Sequence, residues 1–123
     1  MLVVDDEAVI ADTLALILQS AGYRALPSYS AADAREAFQY FHPQLVLADI
    51  MLGDGNGLDL ALEFRRSRPE CKILLFSGAV TANELRRMAP EGCEFDFVSK
   101  PVAPRHMIEL ISNMFDPVQS ASA

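Results

Sequence analysis

No apolar run in this chain approaches the ~20 residues needed to cross a bilayer. Nor does a basic flank with a long apolar stretch open it, since Met1-Leu2-Val3-Val4 runs straight into Asp5-Asp6-Glu7. That start does not read as a secretory signal. Basic charge is also scarce: ten Lys and Arg stand against seventeen Asp and Glu, a net charge of −7. Nucleic-acid binders carry the opposite balance, because phosphate neutralisation dominates their affinity. Arg65, Arg66, Arg68 and Lys72 do cluster, but near the end of an expected helix, where cations favour the dipole. Direct nucleic-acid binding is not expected. Cysteine is nearly missing too, and Cys71 and Cys93 have no CxxC or Cys/His spacing. They read as packed thiols of a reducing cytosol, not as a bridge or a zinc site. These absences predict a soluble, cytoplasmic protein with no membrane association.

What remains is an ordinary globular composition, 51% apolar and 22% charged over 123 residues. A chain of this length makes one domain and buries about two-thirds of its extended surface, so it folds without a disulfide or a structural metal. Short apolar runs alternate with longer segments of helical period. Leu2–Val4 is a β-branched-rich run that stops at an acidic pair. From Glu7 to Ala21, Ile10, Leu14, Ile17, Leu18 and Ala21 recur at helical spacing, and Gly22 suits the end of that helix. Tyr23–Leu26 is a weak strand signal. Ser30-Ala31-Ala32-Asp33 resembles a capping box that opens a stripe of Ala34, Ala37, Phe38 and Phe41, closed by His42-Pro43.

Leu45–Ala48 is a continuous apolar run ending at Asp49. The loop Gly53-Asp54-Gly55-Asn56-Gly57 follows, then a third helix from about Leu58 to Ser67. Ile73–Phe76 is a buried-type strand running to Ser77-Gly78. Thr81-Ala82-Asn83-Glu84 is a full capping box for a fourth helix through about Ala89. Phe95–Val98 is the fifth strand, followed by Ser99-Lys100-Pro101. Pro104 opens a last helix in which Ile108, Ile111, Met114 and Phe115 share a face. The expected organisation is one domain over residues 1–115 and a frayed Ser/Ala-rich tail over 116–123. Five strands alternating with five helices predict a three-layer α/β fold: a parallel sheet covered on both faces.

In such sheets ligands bind at the carboxyl ends of the strands, and the unusual polar residues of this chain fall there. Asp5-Asp6 follow the first strand, Asp49 the third, Ser77 the fourth and Lys100 the fifth. Three carboxylates near one point repel each other by about 1 kcal/mol per pair at 4 Å in water, and about four times that at an effective dielectric of 20. Oxygen-rich acid clusters of this kind are what Mg²⁺ uses, with waters and a substrate phosphate completing its shell. A Lys at the rim offers a point charge for a phosphoryl oxygen, and a Ser hydroxyl a hydrogen bond. An aspartate can itself attack phosphorus. These are the parts of a metal-assisted phosphoryl-transfer site. Each residue also has a plainer reading, since Asp after a strand is commonly a cap or turn residue and Lys before Pro a solvated one. Their joint placement at strand ends favours the site.

From Leu2 to about Phe115 the chain resembles the receiver domain of two-component response regulators. The resemblance rests on Val3-Val4-Asp5-Asp6-Glu7, on Leu45-Val46-Leu47-Ala48-Asp49 with Gly57 eight residues on, on Leu75-Phe76-Ser77-Gly78 and on Phe97-Val98-Ser99-Lys100-Pro101. It implies a flavodoxin-like doubly wound sheet of strand order 2-1-3-4-5. It implies that Asp49 is the phosphoacceptor, that Asp6 binds Mg²⁺ (or Mn²⁺) directly and that Asp5 acts largely through water. The Met51 carbonyl would add a backbone oxygen, and Ser77 and Lys100 would hold phosphoryl oxygens. A switch would couple Ser77 to Phe97 and reshape the face formed by the fourth helix, fifth strand and fifth helix. Phe97 also fits an ordinary core aromatic. The implied partners are a sensor histidine kinase or a histidine phosphotransfer protein, with a downstream protein target that the sequence does not identify.

Three departures stand out. Gly53 takes the place where the family often has Pro, which predicts a more mobile loop. Ser77 replaces the commoner Thr. Met1 falls inside the first strand, which predicts a shortened strand at some cost in stability. Arg86-Arg87, with Glu91, Glu94 and Asp96 after them, offer a surface for a partner or a phosphorylation-dependent homodimer, although such charges more often form a solvated face. Two other function classes compete. A pseudo-receiver would act as a constitutive interaction module, against which the intact acid triad, Ser77 and Lys100 argue. An enzyme would be a flavodoxin-like FMN carrier or an Asp-nucleophile phosphatase. The flavin reading needs a hydroxyl- and Gly-rich first loop where this chain has Asp5-Asp6-Glu7. The common Asp-x-Asp phosphatase needs an acid where this chain has Met51.

Overall fold

The computed structural model describes residues 1–77, 87, 95–99 and 103–115. Five strands, β1 (Leu2–Val4), β2 (Leu26–Ser28), β3 (Leu45–Asp49), β4 (Lys72–Ser77) and β5 (Asp96–Ser99), form one sheet in the order β2-β1-β3-β4-β5. Every pairing in it is parallel. The described helices are α1 (Ala8–Ser20), α2 (Ala31–Phe41), α3 (Gly57–Ser67) and α4 (Pro104–Phe115). This is the flavodoxin-like order that the family resemblance implies. Apart from Arg87, the fourth helix expected over 81–89, together with Gly78, Cys93, Lys100 and the tail 116–123, lies outside the described residues.

Because side chains alternate across a strand, each strand feeds two cores. Leu2, Val4, Val46, Ala48, Ile73 and Leu75 point to the side covered by α2 and α3, where they meet Ala34, Phe38, Ala61 and Phe64. Val3, Leu45, Leu47, Leu74 and Phe76 point to the other side, against Ala11, Ala15 and Leu18 of α1 and Met107 and Ile111 of α4. Burial on both faces is why these strands read as unbroken apolar runs.

Local chemistry sets the ends of the elements. The Ser30 hydroxyl accepts from the Asp33 N–H at 3.0 Å and caps α2, as the box motif predicts. His42 closes that helix in the left-handed region, φ 51°, before the buried Pro43. Helix α1 starts after Glu7 with no side-chain cap from that residue. Some boundaries differ from the sequence reading. The second strand is Leu26–Ser28, not Tyr23–Leu26, and it runs through Pro27. That is tolerated because β2 is an edge strand, where no neighbour needs the missing N–H. The last strand lies one residue later than expected, at Asp96–Ser99. Met1 is buried ahead of β1, with its ammonium donating to the Arg24 carbonyl oxygen at 2.5 Å.

Arg68 anchors the lower end of the α2–α3 layer. Its guanidinium lies 4.4 Å from the Phe38 ring centroid and donates to the Phe38 carbonyl oxygen at 3.1 Å and to His42 Nδ1 at 2.6 Å. Phe38 in turn stacks on Phe64, with centroids 4.0 Å apart. Cys71 is buried nearby as a free thiol, as the sequence reading expected, and burial pushes its pKa up. Among the described residues no helix is long and apolar enough to cross a membrane.

Candidate phosphoryl-transfer site

The carboxyl ends of β1, β3 and β4 meet at one rim. Val4 pairs with Ala48, which places Asp5 and Asp49 one rung further on, side by side. One carboxylate oxygen each from Asp5, Asp6 and Asp49 can be chosen so that all lie within 4.8 Å of one another. Asp5 and Asp49 are only 1% and 8% exposed, while Asp6 faces solvent. Three acids at this spacing repel by about 1 kcal/mol per pair in water, and by about 3.5 kcal/mol at an effective dielectric of 20. Two of them sit where water screens poorly, so the cluster has the charge and the all-oxygen chemistry that suit a hard divalent cation.

Backbone amides hold the acids in place. The Glu7 N–H donates to Asp5 Oδ1 at 3.0 Å, and the Met51 N–H donates to Asp49 Oδ1 at 3.2 Å. The Asp49 bond turns the chain out of β3 and into a small hairpin, in which Met51 pairs with Asn56 and Leu52 with Gly55. That hairpin was not legible in the sequence. The loop closes where the Gly57 N–H donates to the Ile50 carbonyl oxygen at 2.8 Å. A Cβ on Gly57 would collide with the Asp49 carbonyl oxygen and lie 2.8 Å from its carbonyl carbon. The glycine eight residues past Asp49 is thus a steric requirement for folding the loop onto the acid that it follows. Asn56 Oδ1 then accepts from the Leu58 N–H at 2.7 Å and caps α3, which begins at Gly57 rather than at Leu58.

Ser77 is the last residue of β4 and is 4% exposed. Asp49 pairs with Phe76, so Ser77 is one rung beyond Asp49 on the neighbouring strand. Leu75 pairs with Phe97 and Ser77 with Ser99. Because residues two apart share a face, Ser77 and Phe97 lie diagonally on the same side of the sheet. Phe97 is half-buried and packs on the α2–α3 core. Met51 is 62% exposed beside the acids. Of the predicted site residues, Asp5, Asp6, Asp49, Met51 and Ser77 therefore gather at one rim, and Lys100 lies outside the described residues. In the charged group further along the chain, Arg87 and Asp96 are exposed, and Arg86, Glu91 and Glu94 are outside the described residues.

Sequence reasoning missed Asp54. Its carboxylate accepts from the Ala31 N–H at 2.8 Å and from the Ala32 N–H at 3.1 Å, at the first turn of α2. These two bonds hold its pKa below the usual aspartate value. In sequence, Gly53-Asp54-Gly55 signals only a turn, and no local pattern says which distant amides the carboxylate will meet.

A family model described as the response regulator receiver domain matches residues 1–112. Among curated proteins, the alkaline phosphatase synthesis transcriptional regulatory protein SphR of Synechococcus elongatus is 36% identical over 120 residues, covering 88% of this chain and 45% of its own length. The phosphate regulon transcriptional regulatory protein PhoB of Pseudomonas aeruginosa is 30% identical, covering 88% of this chain and 48% of its own. The chain thus spans less than half the length of these relatives. Among solved structures, a CheY-like response regulator receiver domain protein from Methanospirillum hungatei superposes with a TM-score of 0.82 at 27% identity, covering 98% of this chain and 95% of that one.

Proposed function

This chain belongs to the response regulator receiver domain family, and on that premise we propose that it takes up a phosphoryl group on the Asp49 carboxylate from a phosphohistidine donor. The domain is a phosphoacceptor signalling module, not a conventional enzyme. The convergence of Asp5, Asp6 and Asp49 within 4.8 Å at the strand ends carries this reading.

Asp49 is aimed for the reaction by the Met51 N–H on its Oδ1. A carboxylate oxygen forms a bond to phosphorus as the phosphorus–nitrogen bond of the donor breaks, and the imidazole leaves with the bonding pair. Asp5, Asp6, Asp49 and the Met51 carbonyl would hold Mg²⁺ or Mn²⁺, which would offset the negative charge of the carboxylates and the phosphoryl oxygens. The Ser77 hydroxyl donates to one phosphoryl oxygen, and the Lys100 ammonium neutralises another. Water attack at phosphorus later returns inorganic phosphate and the free carboxylate. Drawing Ser77 toward the phosphoryl group opens space on the sheet face that it shares with Phe97. The ring follows, and the surface around β5 and α4 shifts population. The partners are a sensor histidine kinase or a histidine phosphotransfer protein, met in the cytoplasm, and a protein target that reads the shifted surface. Residues 1–115 make up the phosphoacceptor domain.

Intact-mass spectrometry after incubation with Mg²⁺ and acetyl phosphate tests the proposal. The expected result is one added phosphoryl group that requires Mg²⁺, disappears with EDTA and is absent in Asp49→Asn. A folded protein that binds no Mg²⁺ and takes no phosphoryl group would restore the constitutive interaction module.

A further inference from the structure

The loop that joins Asp49 to α3 contains Gly53, Gly55 and Gly57. Left to its composition, such a loop samples many conformations, because glycine loses the most freedom on ordering. Yet it must hold Met51 and Gly53 against the acids: a Cβ on Gly53 would stand 3.5 Å from Asp6 Oδ2. One residue on, the Asp54 carboxylate bridges to two amides of a different element, Ala31 at 2.8 Å and Ala32 at 3.1 Å. Gly55 continues this contact, since a Cβ there would lie 3.4 Å from Ala31 Cβ. Helix α2 is capped separately by Ser30 through the Asp33 N–H. Asp54 is therefore not the residue that starts the helix; it ties the loop to a helix already begun.

We propose that Asp54 is a positioning residue for phosphoryl uptake, a brace that pins the glycine-rich loop to the first turn of α2 and so presets the metal-binding oxygens around Asp49. The inference rests on the metal-assisted reading above and deepens it. Residues that orient metal ligands from outside the coordination shell commonly change metal affinity or activity by about ten- to a hundredfold when removed. A brace that favours metal binding must in turn be tightened by the metal, since coupling between sites is reciprocal.

Isothermal titration calorimetry with Mg²⁺ alone and amide hydrogen exchange with and without Mg²⁺ test this on the full chain. Asp54→Ala is expected to weaken Mg²⁺ binding about tenfold and to speed exchange of the Gly53–Asn56 amides in the metal-free protein. Asp54→Asn, which keeps one acceptor oxygen, is expected to fall between that variant and the wild type. Ser30→Ala removes the other cap of α2 and is expected to leave Mg²⁺ affinity unchanged. In the wild type Mg²⁺ slows exchange at Ala31 and Ala32, and Asp54→Ala abolishes that effect. Unchanged Mg²⁺ affinity in Asp54→Ala overturns the proposal. So does an equal loss in Ser30→Ala, because the effect would then belong to helix stability. No Mg²⁺ binding by the wild type itself removes the metal reading, and with it the inference; in that case wild type and variant are equally silent.

Discussion

The two rims of the sheet treat charge in opposite ways. At the carboxyl ends of the strands Asp5, Asp6 and Asp49 crowd like charges within 4.8 Å, two of them out of water. At the amino ends, charge is closed off locally. Arg68 lies on the Phe38 ring and donates to a carbonyl oxygen and to His42, and the Met1 ammonium donates to the Arg24 carbonyl. The lower rim lowers the energy of the fold by itself. The upper rim instead crowds like charges where water screens poorly, and that crowding is what makes it a candidate cation site rather than a surface.

The contrast breaks most sharply at Asp49. Asp49→Asn should abolish phosphoryl uptake while stabilising the metal-free protein by about 1 kcal/mol, since it removes one charge from the cluster. Urea unfolding in EDTA, set beside intact-mass measurement, gives both numbers, and a destabilised variant would contradict the account of the upper rim. Gly57→Ala comes next. It forces a Cβ onto the Asp49 carbonyl and should cost about 1–3 kcal/mol as well as slowing uptake, read by the same two measurements. Arg68→Ala should be the reverse case. Loss of its ring contact and hydrogen bonds should cost about 1–2 kcal/mol with Mg²⁺ affinity unchanged by calorimetry. A matching fall in Mg²⁺ affinity would show that the two rims are coupled.

The smallest expected effect on stability is at Asp54, which is solvent-exposed. Bonds from the Ala31 and Ala32 amides hold its folded-state pKa below the ordinary aspartate value. Its contribution to stability is then present above the unfolded-state pKa and is lost as pH falls through the lower, folded-state value. Acid titration followed by NMR at Ala31 and Ala32 should show the loop releasing α2 only below the usual aspartate range. Release above that range would contradict the two hydrogen bonds.

Much of this organisation is local and hence legible in the chain. Ser30 caps α2 because a hydroxyl three residues before an amide satisfies it without help from the rest of the fold. The apolar runs ending at Asp5, Asp49 and Ser77 announce strands whose polar residues face one rim. Other features depended on partners distant in sequence. Pro27 reads as a strand breaker, yet β2 runs through it because the edge position removes the need for its N–H. Gly57 signals a turn, but the reason no side chain fits there is the Asp49 carbonyl folded back against it. Asp54 reads as a turn residue until Ala31 and Ala32 come within reach.

By itself, then, the amino-acid order determined most of the described strands and helices, which face of each is apolar, and that acids, a hydroxyl and a lysine follow the strands. Periodicity and capping act over a few residues, so their signals survive in one dimension. Only the tertiary structure decided that three of those acids meet, that Ser77 and Phe97 share a face, and that a glycine-rich loop is tied down by Asp54. Distance in space between residues remote along the chain is set by sheet register and helix packing, and no local pattern encodes it.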